Sequence, residues 1–204
     1  MTEAVLTPDR ILDATEECLR RYGPQKTTVV DVAKALDVSH GAIYRHYPSK
    51  EALREAVVRR WLFHVEGPLQ LLAEAPGDPV DRLRRWLNHL IHTKREKVLQ
   101  EPGLFETYCS FVRDLRNIHE VIQRHIDVLK GQLVHIIEDG MQCGLFHVDS
   151  PTRAATAVFS ATARFHHPAH AHEWHDRANI DADYEAVLDL LLAGLGLAKE
   201  HRLA

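Results

Sequence analysis

Apolar side chains along this chain recur every three or four residues almost from end to end. The spacing appears in Ile11, Ala14, Cys18, Leu19 and Tyr22, and returns in Val29, Val32, Ala33 and Leu36. It continues in Leu53, Ala56, Val57 and Trp61, then in Leu83, Trp86, Leu87, Leu90 and Ile91. A wider stripe follows through Ile118, Val121, Ile122, Ile126, Leu129, Leu133 and Ile137. A repeat of this kind lines one face of a 3.6-residue helix. Period-two alternation bounded by turn residues is not found, so no strand is needed. Helix breakers separate the stripes: Gly23-Pro24, Pro48, Gly67-Pro68, Pro76 to Pro79, Pro102-Gly103, Gly140 with Gly144, and Ser150-Pro151. The expected fold is all-α with about nine helices, in which Gly67-Pro68 bends or ends the fourth.

Local chemistry sharpens the region between residues 25 and 48. Thr28 and Asp31 are spaced as a capping box, which starts a helix at Val29. Asp37-Val38-Ser39 reads as a turn, with Val38 plugging the angle between helices and Ser39 capping a short helix from His40 to Tyr47. Ile43 and Tyr47 share one face of that helix and can pack inward, whereas His40, Gly41, Tyr44 and Arg45 share the other. Two short helices joined in this way form a helix-turn-helix, whose second helix enters the DNA major groove. A bulky side chain at Gly41 would hold it off the groove. The Ala42 methyl suits a thymine methyl, and Arg45 can fork onto guanine or phosphate. Lys50 follows the Ser49 cap, at the positive end of a helix dipole, where a cation makes sense if a phosphate binds.

Composition limits the function classes. The 204 residues are 45% hydrophobic and 26% charged, as in an ordinary globular protein. The net charge of −4 excludes a protein that coats nucleic acid by charge alone. Residues 1–60 carry 10 Lys and Arg against 9 Asp and Glu, and the rest 15 against 20, so any DNA contact is local and near the N-terminus. Cys18, Cys109 and Cys143 are far apart and read as reduced thiols of a cytoplasmic protein. The longest apolar run, Leu190 to Ala198, falls short of the ~20 residues a membrane span requires. No phosphate loop, nucleophile elbow or zinc-protease spacing suggests an enzyme.

From Ile11 to Trp61 the chain resembles the DNA-binding region of the tetracycline-repressor (TetR) family. The resemblance rests on Tyr22-Gly23, Thr27-Thr28, Val32-Ala33, the run Val38 to Tyr47, and Pro48-Ser49-Lys50-Glu51-Ala52-Leu53. It implies a helix-turn-helix domain at 1–52 and a helical ligand-binding and dimerisation domain at 53–204. By resemblance, Thr28, Tyr44 and Lys50 lie at or near phosphates, and His40, Gly41, Ala42 and Arg45 face bases, with Ser39 beside them. Tyr47 also matches a phosphate neighbour but is kept as core. Two positions depart from the family pattern. Asp37 stands where glycine is common, so the turn must accept a left-handed or strained conformation, and Ala42 stands where threonine is frequent.

The remaining expectations concern the body. Ala154, Val158, Ala161 and Phe165 form a small-residue stripe, and Val187, Leu188, Leu191, Leu192 and Leu195 form an apolar face widened by Leu190 and Leu197. Together they predict a homodimer through the last two helices and hence a palindromic double-stranded operator. A small-molecule inducer is expected among Trp86, Leu90, Phe105, Tyr108, Phe111 and Phe165, with His89, Arg113 or His119 as polar handles. No cofactor is expected. The cluster His166, His167, His170, His172 and His175 leaves an alternative open, a regulator that senses a divalent metal through His166 and His170, four apart. Pro168 between them argues for solvated or hydrogen-bonded histidines, and a pH-sensitive seam is the third possibility.

Overall fold

The structure is a computed structural model that describes residues 5–113 and 119–196; the side chains of 111–113 and 119 lie outside the described residues. It is all-α among them. The helices are α1 (Pro8–Tyr22), α2 (Val29–Ala35), α3 (His40–His46), α4 (Lys50–Ala73) and α5 (Pro79–Gln100). They continue with α6 (Pro102–Arg113), α7 (His119–Gln142), α8 (Pro151–Ala161), α9 (Ala163–His166) and α10 (Arg177–Gly194), and a 3-10 turn covers Pro168–Glu173. The excess over nine comes from the C-terminal third, where α9 and the 3-10 turn are short pieces between α8 and α10.

Each boundary has a local cause. Thr7 accepts from the Arg10 amide and Pro8 occupies the first turn of α1. Ser150 and Pro151 repeat the arrangement at α8. The α2–α3 turn is a Schellman motif, in which the Asp37 amide bonds the Lys34 carbonyl and the Val38 amide bonds the Ala33 carbonyl. Asp37 adopts φ 55° there, the left-handed conformation its side chain must tolerate in place of glycine.

The fourth helix does not end at Gly67-Pro68. Pro68 lies inside α4. Val65, Leu69 and Ala73, four apart, are fully buried, and this anchored stripe offsets the hydrogen bond that a proline cannot make.

The chain divides into two compact units. The first comprises residues 1–63 and 97–122, and the second comprises 64–96 and 123–204. In the first, Ile11, Leu19, Val32, Ile43 and Val57 form the centre of the core. Helix α6 lies against α1 so closely that a Cβ on Gly103 would strike the Leu19 carbonyl. Glu101 gathers Lys97 at 2.7 Å, Arg20 at 3.2 Å and the Trp61 indole N–H at 3.3 Å. In the second unit the core runs along Leu83, Trp86, Leu87 and Leu90 of α5 and Leu129, Leu133 and Ile137 of α7. The buried Arg82 ties α5 to the end of α4 through the Ala73 carbonyl at 3.0 Å and to α7 through Asp139 at 2.7 Å.

Candidate nucleic-acid interface and effector core

The reading head is built from two caps. At α2 the Asp31 amide donates to Thr28 Oγ1 at 3.2 Å, and Asp31 Oδ2 accepts from the Thr28 amide at 2.9 Å and hydroxyl at 2.6 Å. These bonds hold the Asp31 carboxyl below its usual range. At α3 Ser39 Oγ accepts from the Ala42 amide at 3.3 Å, which leaves its hydroxyl hydrogen free to donate outward.

On α3, Ile43 is fully buried, while His40, Gly41, Tyr44 and Arg45 are exposed. The His40 and Tyr44 rings meet edge to face at 6.3 Å and stand together on the outer surface. Thr28 and Ser39 are exposed beside them. Ala42 differs from the sequence expectation: it is buried, because its position on the helix falls beside Ile43, so its methyl is turned inward and offers little to a groove. Tyr47 is half-buried and its hydroxyl donates to the Pro8 carbonyl at 3.4 Å, in keeping with a core role. Lys50 is the first residue of α4, whose N-terminus is capped by Ser49 through the Ala52 amide at 3.0 Å. The outer face thus combines an imidazole, a phenol, a guanidinium and an ammonium at a helix N-terminus, donors suited to phosphates and base edges. Arg60 braces it from behind, reaching Glu16 and Asp13 of α1 at 2.8 Å each.

The residues expected around an inducer divide between the units. Trp86, His89, Leu90 and Phe165 belong to the second, whereas Phe105 and Tyr108 belong to the first. The side chains of Phe111, Arg113 and His119 lie outside the described residues. Trp86, Leu90 and Phe165 are core, and Trp86 donates its indole N–H to Gln132 Oε1 at 3.0 Å. Burial and the neighbouring His92 lower the pKa of His89.

The polar heart of the second unit was not found by sequence reasoning. Four helices bring Glu66, Lys94, His125 and His166 inward, and the last three are each under 5% exposed. His125 Nδ1 lies 2.7 Å from Glu66 Oε1, and its Nε2 lies 3.4 Å from Lys94 Nζ. Burial, then Lys94, pushes the His125 pKa down to about 4 against the pull of Glu66. Its contact with Glu66 is therefore a hydrogen bond from a neutral ring and not an ion pair near neutral pH. Burial, then Lys94, likewise pushes His166 down to about 3. A signal for this set did exist, because Lys94 continues the stripe Leu83, Leu87, Leu90 of α5, and His125 sits midway between Val121 and Leu129 of α7.

In the histidine cluster, the two residues of the alternative metal reading fall on different elements. Pro168 holds His167 in extended backbone, so His166 ends α9 while His170 falls in the 3-10 turn. His170 pairs with Glu173 at 2.7 Å, His175 with the His172 carbonyl at 2.6 Å, and His167 accepts from the Ala169 amide. Among the described residues no three His, Cys, Asp or Glu side chains are placed to hold a metal ion. Nor, among them, is any helix long and apolar enough to cross a membrane.

Comparison with known proteins agrees with this construction. Residues 11–57 match the family model for bacterial regulatory proteins of the tetR family, and residues 79–188 match the tetracyclin repressor-like C-terminal domain. The HTH-type transcriptional regulator AcrR of Shigella flexneri is 30% identical over 166 residues, covering 76% of this chain and 74% of that one. The HTH-type transcriptional regulator TtgR of Pseudomonas putida is 28% identical over 168 residues, covering 78% and 77%. In fold, the chain is similar to SmeT, the repressor of a Stenotrophomonas maltophilia multidrug efflux pump, with a TM-score of 0.69, 20% identity and coverage of 97% and 93%. With residues 11–57 and 79–188 matched by the family's N-terminal and C-terminal models, and a relative 30% identical over three quarters of both chains, this chain belongs to the TetR family of DNA-binding transcriptional regulators.

Proposed function

We propose that the protein is a repressor that binds a palindromic operator as a homodimer and is released when a small molecule occupies its second unit. The observation that carries the reading is the outward face of α3, where His40, Gly41, Tyr44 and Arg45 stand exposed while Ile43 anchors the helix from behind. Thr28, Ser39 and Lys50 supply phosphate contacts around it, and base readout falls to the α3 face without Ala42. Two copies would present two such helices to successive major grooves, which is the origin of the palindrome.

The dimer seam is assigned to α8 and α10. An open groove there is lined by Arg153, Ala154, Ala157, Leu190, Leu191 and Gly194. Leu190 is 74% exposed, a large apolar surface for a side chain on a helix that buries Leu188 and Leu192 in the core. The effector acts through α4, which belongs to both units, by favouring a dimer shape whose heads no longer match the operator spacing.

The test is binding of the purified protein to its own upstream intergenic DNA across a salt series, beside Tyr44→Ala and Lys50→Ala. Both variants are expected to weaken binding, and Lys50→Ala to reduce the slope of log affinity against log salt by about 1. If neither that DNA nor a genome-wide selection yields a bound site, the repressor reading is wrong.

A further inference from the structure

We propose that the side-on edge of Arg95 and the hydroxyl of Tyr184 form a receptor for a carboxylate, which makes the effector of this regulator an organic acid. The inference rests on the reading that the second unit binds an effector.

Arg95 projects from α5 and Tyr184 from α10, both in the second unit. Arg95 Nη1 donates to Asp181 Oδ1 at 2.5 Å. Asp181 lies one turn before Tyr184 on α10, so both share that helix's face. The Asp181 side chain is 59% exposed and grips the guanidinium from the solvent side. Arg95 Nε and Nη2 are sealed from solvent without any acceptor, and so is the Tyr184 hydroxyl. Tyr184 is 5% exposed, and its ring is held edge-on by Phe165 at 5.4 Å. The bond to Asp181 holds the Arg95 guanidinium against the turn of α10 that carries Tyr184.

The identity of the orphaned atoms selects the ligand. Nε and Nη2 form one edge of the guanidinium, with two parallel N–H bonds spaced for the two oxygens of a carboxylate. A neutral acceptor, such as an alcohol or a ketone, satisfies one of them and leaves the other buried and unmade, which is the costly outcome. The phenol O–H supplies a third donor and no charge, so it suits an anion that the arginine already neutralises. The occupant is also a small molecule. The donors are closed off within one chain, where neither a DNA phosphate nor the surface of a second copy can reach them. Entry requires α5 and α10 to part at this point, so occupancy and a change of shape are coupled.

The experiment uses the full chain without DNA. Benzoate and decanoate are titrated by calorimetry and thermal shift beside their uncharged counterparts, benzyl alcohol and decanol. At least one acid is expected to bind and raise Tm, with its alcohol roughly tenfold weaker or worse. Tyr184→Phe and Arg95→Lys, which keeps the charge but loses the fork, are each expected to weaken the acid by roughly tenfold. Tyr184→Phe also controls for folding, because deleting an unsatisfied buried hydroxyl leaves the Tm of the unliganded protein unchanged or higher. The proposal is overturned if neither acid binds, if acids and alcohols bind alike, if both variants keep wild-type acid affinity, or if Tyr184→Phe lowers the unliganded Tm. Release of operator DNA by a neutral compound, equal in wild type and both variants, would overturn the receptor and leave the ligand-released repressor standing. Failure to bind any DNA would sink the repressor reading, while the acid titration would still decide the receptor.

Discussion

His125 donates its Nδ1–H to Glu66 Oε1 at 2.7 Å across 59 residues of sequence, and this bond fixes which ring nitrogen faces Lys94. With Nδ1 protonated, the Nε2 lone pair is turned toward the Lys94 ammonium at 3.4 Å. The neutral imidazole thus stands between a carboxylate and an ammonium, relaying one to the other without a charge of its own. Charging the ring would place a second cation beside Lys94 inside the core.

A pH dependence of stability follows. The folded pKa of His125 lies near 4 against its ordinary 6.5, so the unfolded chain binds the extra proton throughout that interval. Stability is full above about pH 6.5 and falls as pH drops toward 4, by roughly 3 kcal/mol for this group alone. His166 adds to the loss in the same direction, with its window reaching down to about 3. Chemical denaturation at pH 7 and pH 5 should show the decline, and His125→Gln should flatten the part that belongs to His125. An unchanged slope in that variant would mean that His125 is not neutral in the fold.

Gly103 is where α6 meets α1. A Cβ at this position would strike the Leu19 carbonyl, which is backbone and cannot swing aside. Gly103→Ala is expected to cost about 1–3 kcal/mol in the first unit through overpacking, although alanine is the better helix former. Urea unfolding measures it, and a neutral or stabilising result would show that the helices separate freely.

Asp37 carries the left-handed conformation of the Schellman turn at φ 55°. Asp37→Gly removes the Cβ from that conformation and is expected to stabilise the head by about 1 kcal/mol or less, since glycine also loses more entropy on folding. Asp37→Val should destabilise by more than Asp37→Gly gains, because a β-branched residue resists positive φ. Equal melting temperatures for the three proteins would remove the turn's strain as an explanation.

Leu190 tests the proposed seam. It is 74% exposed in the single chain, so Leu190→Glu leaves that chain's core intact. Sedimentation is expected to find wild type dimeric and the variant shifted to monomer at micromolar concentration, with operator affinity falling in parallel. A variant that remains dimeric would move the seam away from α10.

Helix identity and the turn chemistry of the head were legible in the sequence because they depend on neighbours three or four residues apart. The Thr28–Asp31 box and the Ser39 and Ser150 caps were readable in this way, whereas the conformation of Asp37 was read from the glycine usual there in the family; each is present in the structure. Periodicity also separated Ile43 from the exposed Tyr44 and Arg45. It did not place Ala42, since a residue at the edge of a helix face is assigned to core or surface by what packs against it. Local rules left open whether Gly67-Pro68 bends or ends α4, and its continuation depends on the burial of Val65, Leu69 and Ala73 in the second unit. Pro168 already marked the break between His166 and His170, which fall on α9 and the 3-10 turn. Only the tertiary structure decided that Glu66, Lys94 and His125 meet in one core and that Arg95 and Tyr184 keep buried donors unmet. A local pattern records the free energy of a turn or a helix face, whereas the partner of a buried charge is chosen by chain closure over dozens of residues, and the spacing of a single helix carries no trace of it.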